Sequence, residues 1–229
     1  MAAMLIQIYE ISTADEAAAL CAAGVDHVGV LVGDGAFPRE QSTAAARKIF
    51  AGVLAPARRC ALSLSPDLTQ IGGIVGALEP DILHLGCAPD LLGPDGVSVL
   101  KRSHPAIAIM RSIPVTDSAS VDLARSYDGV ADYLLLDSYS ADDKQIGALG
   151  VTHSWELDRR IVESVSIPVI IAGGLGPENV CQAIAASRPA GVDSKTLTDR
   201  SDGSHTKDLA RVRAFVEAVR GCSSVRESR

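Results

Sequence analysis

The chain has few aromatic residues and no concentration of positive charge. Phe, Trp and Tyr make up only 3% of its 229 residues, so it lacks the stacking surfaces on which single-stranded nucleic acids bind. Its formal net charge is -7 and its lysines and arginines are scattered along the sequence, which leaves no continuous basic surface for a phosphate backbone. We therefore expect no nucleic-acid partner.

Patterns for disulfides, metals and export are also missing. The five cysteines are far apart and never spaced C-x-x-C, at Cys21, Cys60, Cys87, Cys181 and Cys222, which argues against a disulfide framework and structural zinc. No H-x-H or H-E-x-x-H spacing predicts a metal site. The first residues have neither a basic segment nor a long apolar run. We expect a cytoplasmic protein with no membrane association, as a monomer or homodimer.

Apolar residues dominate instead, at 47% of the chain, and short β-branched or leucine-rich runs alternate with amphipathic segments. This alternation predicts parallel strands joined by helical crossovers. Eight strands are predicted, at Leu5–Ile11, Asp26–Val32, Arg59–Leu64, Asp81–Gly86, Ala106–Ile113, Tyr133–Asp137, Val169–Ala172 and Gly191–Ser194. Helices are predicted after them, for example at Ala14–Ala23, Ser42–Val53, Trp155–Val165, Glu178–Ser187 and Lys207–Val219.

Eight such units in a chain of this length favour one (β/α)8 TIM barrel over residues 1–221, followed by a disordered tail at 222–229. The competing fold is a doubly wound sheet, which usually has fewer strands and a glycine-rich phosphate turn after the first. Here Glu10-Ile11-Ser12-Thr13 follows the first strand, so that turn is absent.

Two glycines at the end of the seventh predicted strand are the strongest functional signal. Gly173 and Gly174 follow an apolar run and precede Pro177-Glu178-Asn179 at a predicted helix start. Residues without Cβ let backbone amides approach an anion, and the helix N-terminus adds a favourable dipole. A tight turn alone would explain one glycine. Since the last two loops of such barrels often bind phosphate, we predict a site for a small phosphorylated ligand that includes Thr196.

At this point the sequence resembles the phosphoribosylanthranilate isomerases of tryptophan biosynthesis, over most of its length. The motifs that carry the resemblance are Ile171 to Val180 with its two glycines, Leu134-Leu135-Leu136-Asp137 and the loop Gly147 to Trp155, Phe37-Pro38-Arg39, and Lys207-Asp208. The resemblance implies an isomerase that converts an aldose to a ketose (an Amadori-type reaction) on a phosphosugar or its amine adduct, without a cofactor. The substrate need not be that of the family.

Three departures from the family pattern affect the expected site. The family's first strand reads K-I-C-G, with the cysteine as general base, whereas this chain has Gln7-Ile8-Tyr9-Glu10. The fourth strand's V-Q-L-H-G becomes Leu83-His84-Leu85-Gly86-Cys87, and the eighth strand's S-S-G becomes Lys195-Thr196-Leu197. Without the thiol we expect little or no family activity, because a positioned base contributes roughly 3 kcal/mol or more.

The resemblance and the strand positions together give a set of candidate residues. Asp137 is the expected general acid. The base is left open between His84, which should point into the barrel but is equally explained as a core histidine, and Tyr9. Substrate-binding roles are expected for Arg39, Arg111, Asp193 and Lys195, and phosphate contacts for Gly173, Gly174 and Thr196.

Two other functions remain open from the sequence. The missing cysteine is compatible with a barrel that has lost catalysis and binds or senses a phosphorylated ligand. Lys195 is compatible with another phosphosugar enzyme, an epimerase or an aldolase that uses a Schiff-base amine. Fold alone does not choose between these functions.

Overall fold

Eight parallel strands close into a barrel surrounded by eight helices, which confirms the predicted (β/α)8 fold. The computed structural model of the chain describes residues 3–140, 145–146 and 153–226. The barrel strands are β1 (Leu5–Ile8), β2 (His27–Leu31), β3 (Arg58–Ser63), β4 (Ile82–Leu85), β5 (Ala108–Pro114), β6 (Tyr133–Asp137), β9 (Val169–Ile171) and β10 (Gly191–Ser194). A small antiparallel pair, β7 (Tyr139–Ser140) and β8 (Gln145–Ile146), follows β6.

Eight helices follow the strands along the chain. They are α1 (Ala14–Ala22), α2 (Thr43–Phe50), α3 (Leu68–Leu78), α4 (Pro94–Ser103), α5 (Ala119–Ser126), α6 (Trp155–Val162), α7 (Val180–Ser187) and α8 (Leu209–Arg226). β1 pairs with β2 on one side and β10 on the other, so the sheet has no open edge. This closure brings the C-terminal ends of all eight strands to one face.

Residue alternation along the strands separates two packing layers. In β1, Ile6 and Ile8 are fully buried among residues that pack beneath the helices, whereas Gln7 between them contacts His27 and Met110 inside the barrel. A second cluster of buried residues fills the barrel interior: Tyr9, Cys60, Ile82, Met110, Leu135, Ile170 and Ala172.

Helix starts are fixed by short polar side chains at the ends of the strand-to-helix loops. Thr13, Ser42 and Ser154 each accept a hydrogen bond from a first-turn amide of α1, α2 and α6. Such caps satisfy amides that have no partner inside the helix. They end the loops at fixed points and so support the face on which the strand ends meet.

The C-terminal region differs in two ways from what the sequence led us to expect. Residues 222–226, predicted as part of a disordered tail, continue α8, and residues 227–229 lie outside the described part. A disulfide joins Cys181 of α7 to Cys222 of α8, although the cysteine spacing argued against disulfides. Among the described helices, none is both long and apolar enough to cross a bilayer.

The first strand is shorter than predicted, and this difference shapes the face where the strands end. β1 stops at Ile8, so Tyr9 and Glu10 begin the loop. Glu10 has a left-handed backbone, with φ at 61°, which is uncommon for a residue other than glycine. The family-like loop at 147–152 lies outside the described residues.

Candidate active site

A small pocket opens at the C-terminal ends of β6, β9 and β10. Its lining residues are Asp137, Gly173, Gly174, Leu175, Asp193, Ser194, Lys195, Thr196 and Leu197. Gly174 and Thr196 therefore meet at the mouth of the barrel, as the sequence predicted. The position matches the face on which barrels of this type carry their chemistry.

The glycine loop on one side of the pocket is held in a fixed shape. Gly173 and Gly174 have φ values of 81° and 59°, a conformation that glycine adopts without steric cost. The side chain of Asn179 donates to the carbonyl oxygen of Gly174 and accepts from the amide of Gly176, both at 2.8 Å. The amides of Gly173 and Gly174 have no hydrogen-bond acceptor within the described part of the chain, so they are available to an anion.

Two buried carboxyl groups face the same pocket from different strands. Asp137 ends β6, and one of its oxygens accepts from the amide of Ser138 at 2.8 Å. Asp193 lies in β10, is only 6% exposed, and its Oδ1 has no hydrogen-bond partner among the described residues. Burial of the two carboxylates outweighs the donors that remain, Ser138 for Asp137 and Gln7 for Asp193, and so favours the protonated form.

The pKa values of both groups are raised accordingly. Burial raises the pKa of Asp137 to about 6. Burial, and then the negative charge of Asp137, raises the pKa of Asp193 to about 8. Between these two values the pair holds one proton, mainly on Asp193, which has the higher pKa, and a minority of molecules carry it on Asp137. In either form one member can donate a proton while the other accepts one.

Five charged residues form a network beside the pocket, which we call the mouth cluster: Glu10, Arg39, Lys195, Asp199 and Lys207. Arg39 binds both oxygens of Glu10, and Lys195 lies 3.3 Å from Glu10 and 3.1 Å from Asp199. The buried ammonium of Lys207 binds Asp199 at 2.6 Å. Burial would raise the pKa of Glu10, but the hydrogen bond from Arg39 and the charge of Lys195 lower it overall.

Comparison with known proteins identifies the family of the chain. A family model described as N-(5'phosphoribosyl)anthranilate (PRA) isomerase matches residues 96–218. The N-(5'-phosphoribosyl)anthranilate isomerase of Methanocella arvoryzae is 35% identical over 217 residues, covering 94% of this chain and 97% of that protein. The chain belongs to the phosphoribosylanthranilate isomerase family.

Solved structures agree on the fold at lower identity. The phosphoribosylanthranilate isomerase of Pyrococcus furiosus aligns with a TM-score of 0.77 at 20% identity, covering 95% of this chain and 99% of that one. Another phosphoribosyl anthranilate isomerase, crystallised with reduced 1-(o-carboxyphenylamino)-1-deoxyribulose 5-phosphate, has a TM-score of 0.76 at 19% identity and covers 95% of this chain and 99% of that one. At these identities the likeness concerns the fold alone.

The two candidate bases named from the family pattern lie inside the barrel. The hydroxyl of Tyr9 is 2.6 Å from Nδ1 of His84 and 2.7 Å from the sulfur of Cys60, and Nε2 of His84 is 2.7 Å from the hydroxyl of Ser112. Both ring nitrogens of His84 are therefore occupied, and only 2% of the residue is exposed. Neither Tyr9 nor His84 lines the pocket.

Their ionisation also opposes a role as base at the position of the family's thiol. Burial, reinforced by the charge of Arg111, lowers the pKa of His84 to about 3, and burial raises the pKa of Tyr9 well above its usual value. A base works best with a pKa near the operating pH. The arrangement matches the alternative of a hydrogen-bonded core histidine.

Arg111, expected from the family pattern to bind substrate, points away from the pocket. Its neighbour Met110 packs inside the barrel, so the alternation of β5 turns Arg111 outward toward the helices. There it is fully buried, donates to the carbonyl oxygen of Leu85 at 2.8 Å, and lies 5.4 Å above the ring of Tyr127. This placement corrects the expectation, because the buried guanidinium is not among the residues that line the pocket.

The remaining candidates meet at the mouth, and the sequence reasoning missed some of their partners. Arg39 and Lys195 both contact Glu10, which the family motif gave no reason to select because glycine stands there in K-I-C-G. Asp199 and the fixed position of Lys207 were also missed, since the bond between them depends on the fold of the loop after β10. Lys207 belongs to the family-like motif Lys207-Asp208, but nothing in that motif indicates its pairing with Asp199, eight residues before it.

Proposed function

We propose that this chain isomerises a phosphorylated ribosylamine from its aldose to its ketose form, with Asp137 and Asp193 as the proton-carrying pair. The observation that supports it most is the meeting, in one pocket, of two buried carboxyl groups and two glycine amides that have no acceptor among the described residues. Phosphate at the amides of Gly173 and Gly174, near Thr196, holds the sugar beside both carboxyl groups.

The chemistry needs one acid and one base. In the form of the pair that carries its proton on Asp137, Asp137 donates that proton to the ring oxygen as the bond from that oxygen to C1 breaks and the nitrogen lone pair forms an iminium. Asp193 then removes the proton on C2, which leaves a neutral enaminol. The enaminol tautomerises to the aminoketose by losing its hydroxyl proton and gaining one at C1, so no electrons or cofactors enter the reaction.

Asp193 takes the base role because of its position in the sheet. β10 pairs with β1 in parallel, and Asp193 lies opposite Gln7, two residues before the position of the family's cysteine. The acceptor of the C2 proton has therefore moved to the neighbouring strand. This role goes beyond the substrate contact that the sequence led us to expect.

Turnover of in situ adducts of ribose 5-phosphate with an aromatic amine tests the proposal. Asp137→Asn and Asp193→Asn should each lower kcat by about a hundred- to ten-thousand-fold. Asp122→Asn on the exposed face of α5 is the control and should leave kcat unchanged. Wild-type kcat in both pocket variants would overturn the assignment.

A non-catalytic phospholigand-binding barrel is the second candidate, supported by the loss of the thiol at position 9. It predicts phosphate binding with no turnover of any adduct. A Schiff-base enzyme is disfavoured, because Lys195 contacts the carboxylates of Glu10 and Asp199 and a charged ammonium is not nucleophilic. Borohydride trapping with a carbonyl substrate tests that alternative.

We further infer a cytoplasmic protein, a monomer or a homodimer, that binds a small phosphorylated substrate without a cofactor. The family membership supports the ligand class. A disulfide such as Cys181–Cys222 is uncommon in a reducing compartment, and the number of free thiols in the isolated protein tests whether it forms.

A further inference from the structure

The guanidinium of Arg39, which was expected to bind substrate, is already paired with the carboxylate of Glu10. Nε of Arg39 donates to one oxygen of Glu10 at 2.6 Å, and Nη2 donates to the other at 3.2 Å. A guanidinium edge that binds both oxygens of one carboxylate has no second pair of parallel donors on that edge. An incoming carboxylate must displace Glu10 to use this edge, and at the other edge, formed by Nη1 and Nη2, it would lie beside the negative charge of Glu10.

The backbone shows that this pairing is imposed by the fold. Glu10 and Arg39 have φ values of 61° and 66°, a region that residues with a Cβ rarely occupy. The family motif K-I-C-G has glycine at position 10, where such a conformation carries no steric cost. Glu10 keeps the backbone conformation that favours glycine although it carries a side chain. Such strain indicates that the side chain has a function.

The charges of the mouth cluster leave little attraction for a second anion. Three cations, Arg39, Lys195 and Lys207, face the carboxylates of Glu10 and Asp199. One positive charge is in excess, and Lys195, which lines the pocket beside the glycine loop, places it within reach of a phosphate. A ligand carboxylate at Arg39 would meet Glu10, a like charge, at close range.

Apolar side chains lie exposed near the same place. Phe37 is 44% exposed in the loop that carries Arg39, and Leu197 is 39% exposed at the rim of the pocket. Such surfaces favour an aromatic or aliphatic group over a charged one. The ligand end remote from the phosphate therefore meets apolar surface and a neutralised guanidinium.

We propose that Glu10 is a specificity-determining residue that withholds Arg39 from substrate carboxylates, so that the chain prefers a phosphoribosyl adduct of an apolar amine that carries no carboxylate. The inference rests on the proposed isomerisation. It names the substrate class of that same pocket and assigns Glu10 no part in the proton transfers.

Two ligands that differ by one group test it. The first is reduced 1-(o-carboxyphenylamino)-1-deoxyribulose 5-phosphate, and the second is the same compound without its carboxyl group. Calorimetry gives the affinity of each for wild type, Glu10→Gly, Glu10→Gln and the control Glu163→Gln, which breaks a comparable pair with Arg159 on α6. Glycine fits the backbone at position 10, so Glu10→Gly should fold normally.

Wild type and the control should bind the compound without the carboxyl group about tenfold more tightly or better, a ratio equal to about 1.4 kcal/mol. Glu10→Gly should reverse the preference, and Glu10→Gln should reduce it. Initial rates with the aniline and anthranilate adducts of ribose 5-phosphate should follow the same order in kcat/KM.

The failures are distinguishable. If wild type binds the carboxylated compound at least as tightly and Glu10→Gly leaves the ratio unchanged, the specificity inference is overturned. Turnover of either adduct would then still support isomerisation. If neither compound binds to any variant and neither adduct is turned over, both proposals are wrong.

Discussion

The hydroxyl of Tyr9 and Nδ1 of His84 lie 2.6 Å apart inside the barrel, with Cys60 and Ser112 at the two ends of the same network. Side chains from β3, β4 and β5 thus share hydrogen bonds with the first residue after β1. A buried network in which every member has a partner rigidifies a core, and losing one member leaves others unpaired.

Tyr9→Phe should therefore lower stability while leaving turnover within a few-fold of wild type. The expected loss in the free energy of unfolding is about 1–3 kcal/mol, because His84 and Cys60 lose their partner. Urea unfolding measures it. Tyr133→Phe, whose hydroxyl accepts from the partly exposed Arg58, is the control and should cost less. A hundredfold loss of kcat at unchanged stability would instead make Tyr9 the base.

The reaction should have a bell-shaped pH–rate profile. The active form holds one proton on the pair, and the pKa values of Asp137 and Asp193 are about 6 and about 8. kcat/KM, which reports the groups of the free enzyme, should fall below the first value and above the second, with a maximum near neutral pH. A rate that rises through pH 9 without a second limb would show that the carboxyl pair does not supply both groups.

Asp193 should also reduce stability in alkaline solution. Its pKa is raised by burial from 3.8 to about 8, so the fold favours the protonated form. That contribution is complete below pH 3.8 and is lost as pH rises through 8. Between pH 5 and pH 8 wild type should lose roughly 2–4 kcal/mol more than Asp193→Asn. Urea midpoints at the two pH values measure this, and parallel curves would contradict it.

Phosphate or sulfate should raise the melting temperature of wild type, because an anion at the glycine loop binds only the folded state. Gly174→Asp should abolish that increase by placing a negative charge at the amides. Gly129→Asp alters another glycine with a positive φ, 81°, in open space away from the pocket, and should keep the increase. Loss of the increase in both variants would point to general destabilisation.

Thiol counting tests the disulfide and, with it, the compartment. Protein prepared without reductant and then denatured should react at three thiols, Cys21, Cys60 and Cys87, and at five after reduction. A count of five in both samples would show that Cys181 and Cys222 are reduced in the isolated protein, as a reducing cytoplasm predicts.

Much of the fold could be read from the sequence because alternation of strand and helix patterns is a local property. Gly173, Gly174, Asp137 and Asp193 were found for the same reason, since each lies at a recognisable strand end. The depth of a side chain inside the barrel is not local. His84 was correctly expected to point inward, but its burial depends on how neighbouring strands are staggered.

Other misses have equally physical causes. Arg111 was wrongly expected to bind substrate, because its match to a family position does not show which face of β5 its side chain lies on. The pairing of Cys181 with Cys222 depends on the packing of α7 against α8 across 41 residues. Glu10 was overlooked because its importance lies in a backbone conformation that the sequence does not display.

The close contact between Gly29 and Tyr9 in the barrel bears on the replacement of the family's cysteine at position 9. A Cβ placed on Gly29 would lie 2.2 Å from the ring of Tyr9, so the aromatic ring fits only above a residue without a side chain. Returning position 9 to cysteine would leave a void where the ring lies, and a larger residue at position 29 is tolerated only after that return. The two positions are therefore coupled, because a side chain at position 29 requires the ring at position 9 to be removed first.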